Sequence, residues 1–474
     1  MDKLMYINGD WVGSELEKLT VKNPATGEIV GTVPKAGEKE TRLAIESANQ
    51  AFCAWSQTTA YERSLYLERL YELMKAKKDE LSRMITLEMG KPINEAKGEV
   101  EYGASFLKWF AEEGKRLYGR TIPSHIENKR MLVIKQPVGV VGAITPWNFP
   151  VAMITRKLGP ALAAGCTIVI KPAEETPLSA VMLAELCNEA GLPKGVVNIV
   201  TGEPAPIGEE MLTNPLVKKI TFTGSTEVGK MLLEKGAKQV KKMSMELGGH
   251  APVLVLNDAD LDKAVKGAML SKFRNGGQTC ICANRIYVEE GIHDEFVKRF
   301  SMAAAQLKVG NGLEEDVQIG PIINESGYEK IERHVKNAID NGAKCVVGGR
   351  AEIKNGAYFY YPTILTDVQP DMLIMNEETF GPVVPIQKVK SAEEAVKLAN
   401  QTSYGLAAYV YTENYAKGIR ISEELQFGIV GWNDPVPSAA QSPFGGVKES
   451  GLGREGGTEG IEAYVETKYI SIGL

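Results

Sequence analysis

Cysteine and histidine are scarce in this sequence: 474 residues include six cysteines and four histidines. So few cysteines in a chain of this size exclude a disulfide-stabilised scaffold. Only Cys280 and Cys282 lie close together, and a single intervening residue is the wrong spacing for a zinc knuckle. The histidines are scattered, so the sequence predicts no metal site. The base for any nucleophile is therefore expected to be a residue other than histidine.

Long apolar runs are also missing. The longest, Val138–Ile144, spans seven residues and contains two glycines, whereas a membrane span needs ~20 apolar residues. The first residues show no basic region followed by an apolar stretch, so no signal peptide is predicted. A net charge of −6 provides no electrostatic footprint for nucleic acid or anionic lipid. We therefore expect a soluble, cytoplasmic protein that acts on a small molecule, with neither a nucleic acid nor a membrane as partner.

The pattern of apolar residues changes along the chain. Between residues 37 and 116 they recur at three- and four-residue spacing, which predicts helices. From Val138 onward short apolar runs alternate with helical stretches, and the alternation resumes from about Ala251 to Val430. This order predicts an α/β fold with two parallel-sheet domains. The polar segment 120–136 predicts a hairpin arm, and residues 463–474 predict an exposed strand whose unpaired edge favours an oligomer.

One glycine motif is misleading. Residues 451–456 match the G-x-G-x-x-G pattern, but they follow a loop, and 18 residues remain after Gly456, too few to complete a βαβ unit. A better cofactor site is predicted where two strands end. Lys171 and Glu174 lie at the end of one strand, where an acidic side chain can accept a hydrogen bond from a ribose hydroxyl. Gly224 and Ser225 lead from another strand into a helix, and the free N–H groups at the start of that helix can bind a pyrophosphate.

Three residues indicate reactive chemistry. Cys280 follows a Gly-Gly turn, a polar setting that argues against a merely buried thiol. Glu246 is set among methionine and leucine, where burial would bring the pKa of its carboxyl toward neutrality and make it a base; a solvated glutamate at a strand end is the alternative. Two groups are candidate hydrogen-bond donors to an oxyanion: the side-chain amide of Asn148, which lies between two prolines, and the backbone N–H of Cys280. The alternative for the Asn148 segment is that it is only a rigid loop.

Taken together, these pieces resemble the aldehyde dehydrogenase superfamily over the whole chain. The resemblance rests on seven motifs in the family's order: Pro146-Trp-Asn-Phe-Pro150, Lys171-Pro-Ala-Glu174, Phe222-Thr-Gly-Ser225, Met245-Glu-Leu-Gly-Gly249, Gly277-Gln-Thr-Cys280, Glu378-Thr-Phe-Gly-Pro382 and Pro443-Phe-Gly-Gly446.

The resemblance implies oxidation of an aldehyde to a carboxylic acid through a thioester on Cys280, with Glu246 as base and Asn148 as oxyanion donor. It implies that a dinucleotide binds with its adenosine ribose at the Lys171–Glu174 turn and its pyrophosphate at Ser225. Glu378 would hold the nicotinamide ribose, with Phe380 near the ring. The full set of implied cofactor-binding residues is Thr145, Pro146, Trp147, Lys171, Glu174, Gly224, Ser225, Leu247, Glu378 and Phe380.

The resemblance also implies an aldehyde dehydrogenase-like architecture. A Rossmann-type cofactor domain would comprise residues 1–119 and 137–247, and a second α/β catalytic domain residues 248–440. A small β arm, residues 120–136 and 460–474, would bridge the subunits of a homodimer or homotetramer. A glutamate at position 246 separates the chain from the CoA-acylating relatives. The carboxylate of Glu174 would repel a 2′-phosphate, so NAD is favoured over NADP, with nearby lysines such as Lys194 softening the preference.

Within the superfamily the chain resembles the succinate-semialdehyde dehydrogenases. Arg156, Arg274 and Ser438 match the residues that hold the distal carboxylate in that group, and two guanidiniums form a sensible anion clamp. The alternative is that either arginine is a salt-bridged surface residue, as most arginines are. Segment 433–437 departs from the group's pattern, so the end of the site that binds the carboxylate is open to another semialdehyde, and 2-oxoglutarate semialdehyde is the rival substrate. Lactaldehyde is disfavoured, because its neutral tail would leave both arginines without a partner. Cys282 matches a cysteine that pairs reversibly with the nucleophile in the group, or is a small packed residue.

Overall fold

The computed structural model describes residues 1–474, and helices dominate its first part, as the apolar spacing predicts. Local chemistry sets their ends: Thr59 and Glu62 form a capping box, and Gly90 ends a helix in the left-handed conformation. The elements up to residue 137 are β1 (Met5–Ile7), β2 (Asp10–Val12), β3 (Lys18–Lys22), β4 (Ile29–Pro34), α1 (Glu38–Trp55), α2 (Ala60–Ala76), α3 (Lys78–Met89), α4 (Ile93–Glu113), β5 (Arg120–Ile122) and β6 (Lys129–Pro137).

Strands and helices alternate in the next part of the chain, as predicted. The elements are β7 (Val140–Ile144), α5 (Ala152–Ala164), β8 (Thr167–Lys171), α6 (Pro177–Glu189), β9 (Val197–Ile199), α7 (Pro204–Thr213), β10 (Val217–Thr223), α8 (Thr226–Ala237) and β11 (Lys242–Glu246).

The second alternating stretch is also confirmed. Its elements, with those that follow it, are β12 (Ala251–Val255), α9 (Leu261–Phe273), β13 (Ala283–Glu289), α10 (His293–Ala304), α11 (Glu325–Asp340), β14 (Lys344–Val347), β15 (Ala351–Lys354), β16 (Ala357–Tyr360), β17 (Thr363–Thr366), α12 (Leu373–Asn376), β18 (Val383–Val389), α13 (Ala392–Asn400), β19 (Ala407–Tyr411), α14 (Tyr415–Glu424), β20 (Ile429–Trp432), β21 (Gly451–Leu452), α15 (Glu459–Glu462) and β22 (Val465–Gly473).

The first sheet has eight strands in the order β2-β1-β9-β8-β7-β10-β11-β21. Strands β9, β8, β7, β10 and β11 are parallel, and the order reverses direction between β7 and β10. A ligand crevice is expected at the carboxyl ends of the strands at such a reversal, because the two following connections leave to opposite faces of the sheet.

The second sheet has seven strands in the order β14-β17-β18-β13-β12-β19-β20. Strands β12, β13 and β18 are parallel neighbours, so the loops that precede them lie at one edge. Those loops carry the segments 247–250, 274–282 and 377–382. Because β11 leads through the first of these loops into β12, the carboxyl edge of the first sheet faces the amino edge of the second. The division of the chain into domains near residue 247 remains a prediction.

The third sheet has the order β22-β6-β5. The C-terminal strand β22 is mostly exposed, as predicted, and it pairs with β6 along its length, from Val465 opposite Pro137 to Gly473 opposite Lys129. The expectation of an unpaired edge therefore holds for one side of β22 and not for the other. Strands β5 and β6 form an antiparallel pair where the sequence predicted a hairpin, and the role of this segment as a bridging arm remains a prediction.

The rejected glycine motif lies outside any βαβ unit. Gly451 begins the two-residue strand β21, which pairs antiparallel with β11, and Gly453 and Gly456 lie in the following loop with positive φ. None of the helices is both long enough and apolar enough to cross a membrane.

Candidate active site

Cys280 is presented by a tight left-handed turn. Asn275, Gly276 and Gly277 have φ values of 53°, 61° and 76°. A Cβ atom on Gly277 would lie 2.1 Å from the carbonyl oxygen of Gly381, so only glycine fits there. The turn places Cys280 at the wall shared by two cavities. The polar, glycine-rich flank in the sequence was the signal that pointed to this cysteine.

Burial and the neighbouring Glu246 raise the pKa of the Cys280 thiol well above its usual value, and the positive charge of Arg156 opposes them. Glu246 is the last residue of β11 and is 2% exposed, so the alternative of a solvated glutamate is wrong. Burial raises the pKa of Glu246 to about 7, against the lowering effect of Arg156. Neither carboxylate oxygen has a hydrogen-bond donor. The Cys280 thiol therefore lies beside a carboxyl whose pKa is near neutral pH.

Asn148 lies in the loop between β7 and α5 and is 5% exposed. Its Nδ2 donates one hydrogen bond to the carbonyl oxygen of Gln278, at 3.0 Å, which leaves its second N–H free. The backbone N–H of Cys280 has no acceptor within the chain. Two donors are thus available beside the thiol, which is the arrangement that an oxyanion requires.

The larger cavity, of about 380 Å³, lies at the reversal point of the first sheet. Most of the predicted cofactor residues line it: Pro146, Trp147, Gly224, Ser225, Leu247, Glu378 and Phe380. At one end Ser225 caps α8 by accepting from the Val228 N–H at 3.3 Å, so the start of that helix faces the cavity. At the other, Glu378 accepts from the Gly249 N–H at 2.9 Å, and the rings of Trp147 and Phe380 meet edge to face at 5.6 Å.

Three predicted cofactor residues lie outside the lining of this cavity. Thr145 donates its backbone N–H to the Lys171 carbonyl oxygen at 3.1 Å, and the Nζ of Lys171 lies 2.6 Å from the exposed Glu174 carboxylate. All three lie at the carboxyl ends of β7 and β8, on the same sheet edge as the cavity. Sequence reasoning missed Asn324 and Lys330, which line the cavity; the start of α11 carried no motif that pointed to it.

The smaller cavity, of about 280 Å³, brings Arg156, Arg274 and Ser438 together with Cys280. Arg156 is fully buried and ion-paired: its Nη2 lies 2.7 Å from Glu455, and its guanidinium lies 4.1 Å from the Phe444 ring centre. Arg274 differs, because its guanidinium has no carboxylate within ion-pair distance and lies over the Phe149 ring at 5.7 Å. The buried hydroxyl of Ser438 has no hydrogen-bond partner.

The unusual segment 433–437 turns its polar groups away from this cavity. Asn433 donates to the Thr412 carbonyl oxygen at 3.0 Å, and Asp434 accepts from the Val436 N–H at 2.9 Å. Of the segment, only Val436 lines the cavity. Glu95 and Tyr102 from α4 also line it and were missed, because nothing in the helical pattern distinguishes them from other buried positions.

Cys282 lines neither cavity. It is 1% exposed, and the Nζ of Lys272 lies 3.3 Å from its sulfur. All six cysteines are free thiols. The predicted pairing of Cys282 with Cys280 remains a prediction.

Comparisons with known proteins agree with this geometry. A sequence model described as "Aldehyde dehydrogenase family" matches residues 11–470. The chain is 53% identical to the succinate-semialdehyde dehydrogenase [NADP(+)] GabD of Escherichia coli (strain K12), covering 99% of this chain and 97% of that enzyme. It is 52% identical to a glutarate-semialdehyde dehydrogenase of Pseudomonas aeruginosa, with the same coverage. A crystal structure of succinate-semialdehyde dehydrogenase from Burkholderia pseudomallei, 50% identical, superimposes with a TM-score of 0.98 over 100% of this chain and 98% of that one.

Proposed function

The chain belongs to the aldehyde dehydrogenase family, and on that premise we propose that it oxidises succinate semialdehyde to succinate through a thioester on Cys280. The observation that carries the choice of substrate is the unpaired guanidinium of Arg274, which lines the same cavity as the thiol. The three relatives named above support it, since the aldehyde in each of their names carries a carboxylate.

The first step is attack of the Cys280 sulfur on the aldehyde carbon. The thiol must lose its proton, and the adjacent Glu246 carboxyl, whose pKa is about 7, is the acceptor. The carbonyl oxygen becomes an oxyanion, which the free N–H of the Asn148 amide and the backbone N–H of Cys280 stabilise.

The larger cavity suits a dinucleotide, because it combines the start of α8, a buried carboxylate at Glu378 and the Trp147–Phe380 pair. Those residues, with Lys171 and Glu174 farther along the sheet edge, would hold the cofactor. A nicotinamide bound there supplies the hydride acceptor. Before hydrolysis, Glu246 releases the proton it took from Cys280 to solvent and is again a carboxylate. A water molecule then attacks the thioester carbon and gives a proton to Glu246; the Cys280 thiolate leaves, and the carboxylic acid is released.

The distal carboxylate of the substrate is held at the far side of the smaller cavity. Arg274 supplies the positive charge and Ser438 a hydroxyl donor. Arg156 contributes less charge than the sequence suggested, because Glu455, which it shares with Lys157, partly neutralises it. A single free guanidinium with a hydroxyl still favours a carboxylate over a neutral tail, since a half-buried cation left without a partner is costly.

Comparing succinate semialdehyde with propanal tests the carboxylate site. Arg274→Ala should lose ~2–3 kcal/mol of transition-state binding, roughly 30- to 150-fold in kcat/KM, for the semialdehyde alone. Arg299→Ala, which removes an exposed ion-paired arginine, is the matched control. If the parent uses both aldehydes equally, or if Arg274→Ala slows both equally, the assignment of a carboxylate-bearing substrate is wrong.

Glutarate semialdehyde is the second candidate, since a relative with that activity is as similar as GabD. The two substrates differ by one methylene, which is worth ~1–3 kcal/mol in a close-fitting pocket. A tenfold or greater preference for the longer substrate in kcat/KM would replace the succinate assignment, while leaving the role of Arg274 intact.

We propose NAD as the preferred cofactor, although GabD carries NADP(+) in its name. Glu174 is exposed at the end of β8, where its charge would repel a 2′-phosphate, but the ion pair with Lys171 reduces that repulsion. Glu174→Ser should therefore increase kcat/KM for NADP relative to NAD. An unchanged ratio would show that Glu174 does not determine the preference.

We also propose a homo-oligomer, dimer or tetramer, in which the arm formed by β5, β6 and β22 joins the subunits. The support is the free edge of β22, where Tyr469 and Ile472 are exposed. Light scattering would measure the mass of the assembly; a monomer at micromolar concentration would contradict the proposal.

A further inference from the structure

Lys91 and Glu99 form an ion pair with no exposure to solvent. The Nζ of Lys91 lies 2.6 Å from the Oε2 of Glu99, and both side chains are 0% exposed. Lys91 lies between α3 and α4, and Glu99 lies on α4. Removing two charges from water is expensive, and a buried pair adds little stability over an apolar pair of the same shape. Stability alone therefore does not account for it.

The carboxylate of Glu99 fixes the start of α5. Its Oε1 accepts from the backbone N–H groups of Val151 and Ala152, at 2.9 and 3.2 Å. The residue at the N-cap position is Val151, whose side chain offers no acceptor. Glu99 thus caps α5 from a neighbouring helix, and it anchors the end of the loop that carries Asn148.

The ammonium of Lys91 holds the loop itself. Its Nζ donates to the backbone carbonyl oxygen of Asn148 at 2.7 Å and lies 3.8 Å from the ring centre of Phe149. Asn275 Nδ2 donates to the same carbonyl oxygen at 3.1 Å. Because the carbonyl has two donors, one of them charged, the backbone of Asn148 is held in place at this oxygen.

We infer that Lys91 is a positioning residue for the oxyanion site, with Glu99 orienting its ammonium and fixing the start of α5. The inference rests on the proposed roles of Cys280 and Asn148. Fixing the Asn148 backbone directs the free N–H of its side-chain amide to one place. Stabilisation of an oxyanion depends on such fixed donors, and a displacement of about 1 Å costs ~100-fold in rate.

The double variant Lys91→Met, Glu99→Gln tests this inference. It removes both charges, so neither is left buried alone, and the glutamine oxygen still caps α5. We expect the rate of the first turnover, followed as the initial burst of NADH, to fall ~30- to 100-fold, with KM changed by less than about threefold. Propanal is used beside succinate semialdehyde, so the result does not depend on the choice of substrate.

Alkylation of Cys280 by iodoacetamide separates positioning from general disruption. That reaction displaces iodide and forms no oxyanion, so its rate should match the parent's in the double variant. Lys97→Met, which removes a partly exposed lysine from α4, the helix that carries Glu99, is the matched control and should behave as the parent. The inference is overturned if the folded double variant keeps more than about a third of the parent's first-turnover rate, or if alkylation slows in the same proportion as turnover.

Discussion

Replacing Glu246 with glutamine should slow both steps in which its carboxylate accepts a proton, formation of the thioester and its hydrolysis. The carboxyl is 2% exposed and its pKa is about 7, raised by burial from 4.5. At that pKa about a tenth of the carboxyls are ionised at pH 6, roughly half at pH 7 and about nine tenths at pH 8. The ionised form is the base, so the steady-state rate of the parent should rise about tenfold between pH 6 and pH 8 and then level off.

Glutamine has nearly the same shape but accepts no proton. Loss of a general base costs ~10²- to 10⁴-fold, so the steady-state rate of Glu246→Gln should fall by that factor and lose its dependence on pH between 6 and 8. Because the same residue accepts the Cys280 proton, the first turnover should slow as well. A burst of NADH that approaches one equivalent per active site would mean that only hydrolysis needs this base.

Rapid mixing with detection of NADH absorbance measures both phases. Glu246→Asp is the control, because it keeps an ionisable carboxyl and should retain a rise with pH at a lower rate. The reasoning is refuted if Glu246→Gln keeps the pH profile of the parent, or if its steady-state rate stays within tenfold of the parent's.

Other predictions concern stability, packing and oxidation. Folding raises the pKa of the Glu246 carboxyl above its unfolded value. The stability that the protonated carboxyl contributes is therefore fully present below pH 4.5 and is lost as pH rises through about 7. In urea unfolding, Glu246→Gln should be more stable than the parent by up to about 3 kcal/mol at pH 8 and equal to it near pH 4.5. Glu455→Ala leaves both Arg156 and Lys157 without their shared counter-charge and should lower the free energy of unfolding by ~3–5 kcal/mol; a loss below about 1 kcal/mol would mean that water reaches these cations. Gly277→Ala meets a carbonyl oxygen at 2.1 Å and should abolish turnover while circular dichroism stays unchanged; an active variant would show that the turn adapts. Cys282→Ala should lose activity to peroxide irreversibly, whereas the parent recovers with a thiol reductant; equal, irreversible loss in both would exclude the protective disulfide.

Much of the active site was predictable because its residues lie in short, ordered motifs. The Gly-Gly turn before Cys280, the strand ending at Glu246 and the proline-flanked Asn148 each require a particular backbone, and that requirement is visible in residue type and spacing. The alternation of strands and helices likewise predicted the two sheets. By contrast, Glu95 and Tyr102 on α4 were not predictable as cavity residues, since helical periodicity marks a buried face and not what that face contacts.

The sequence by itself determined the α/β fold, the elements that carry each motif, the position of the proposed nucleophile and the family resemblance, because these depend on local patterns. Only the tertiary structure decided which charges are neutralised. Arg156 and Arg274 are alike in sequence, yet one contacts Glu455, roughly 300 residues away along the chain, and the other is free. The same holds for Lys91, whose contact with Asn148 follows from the packing of α4 against α5. Charge pairing is decided by distances of a few ångströms between segments far apart in sequence, and no local pattern specifies those distances.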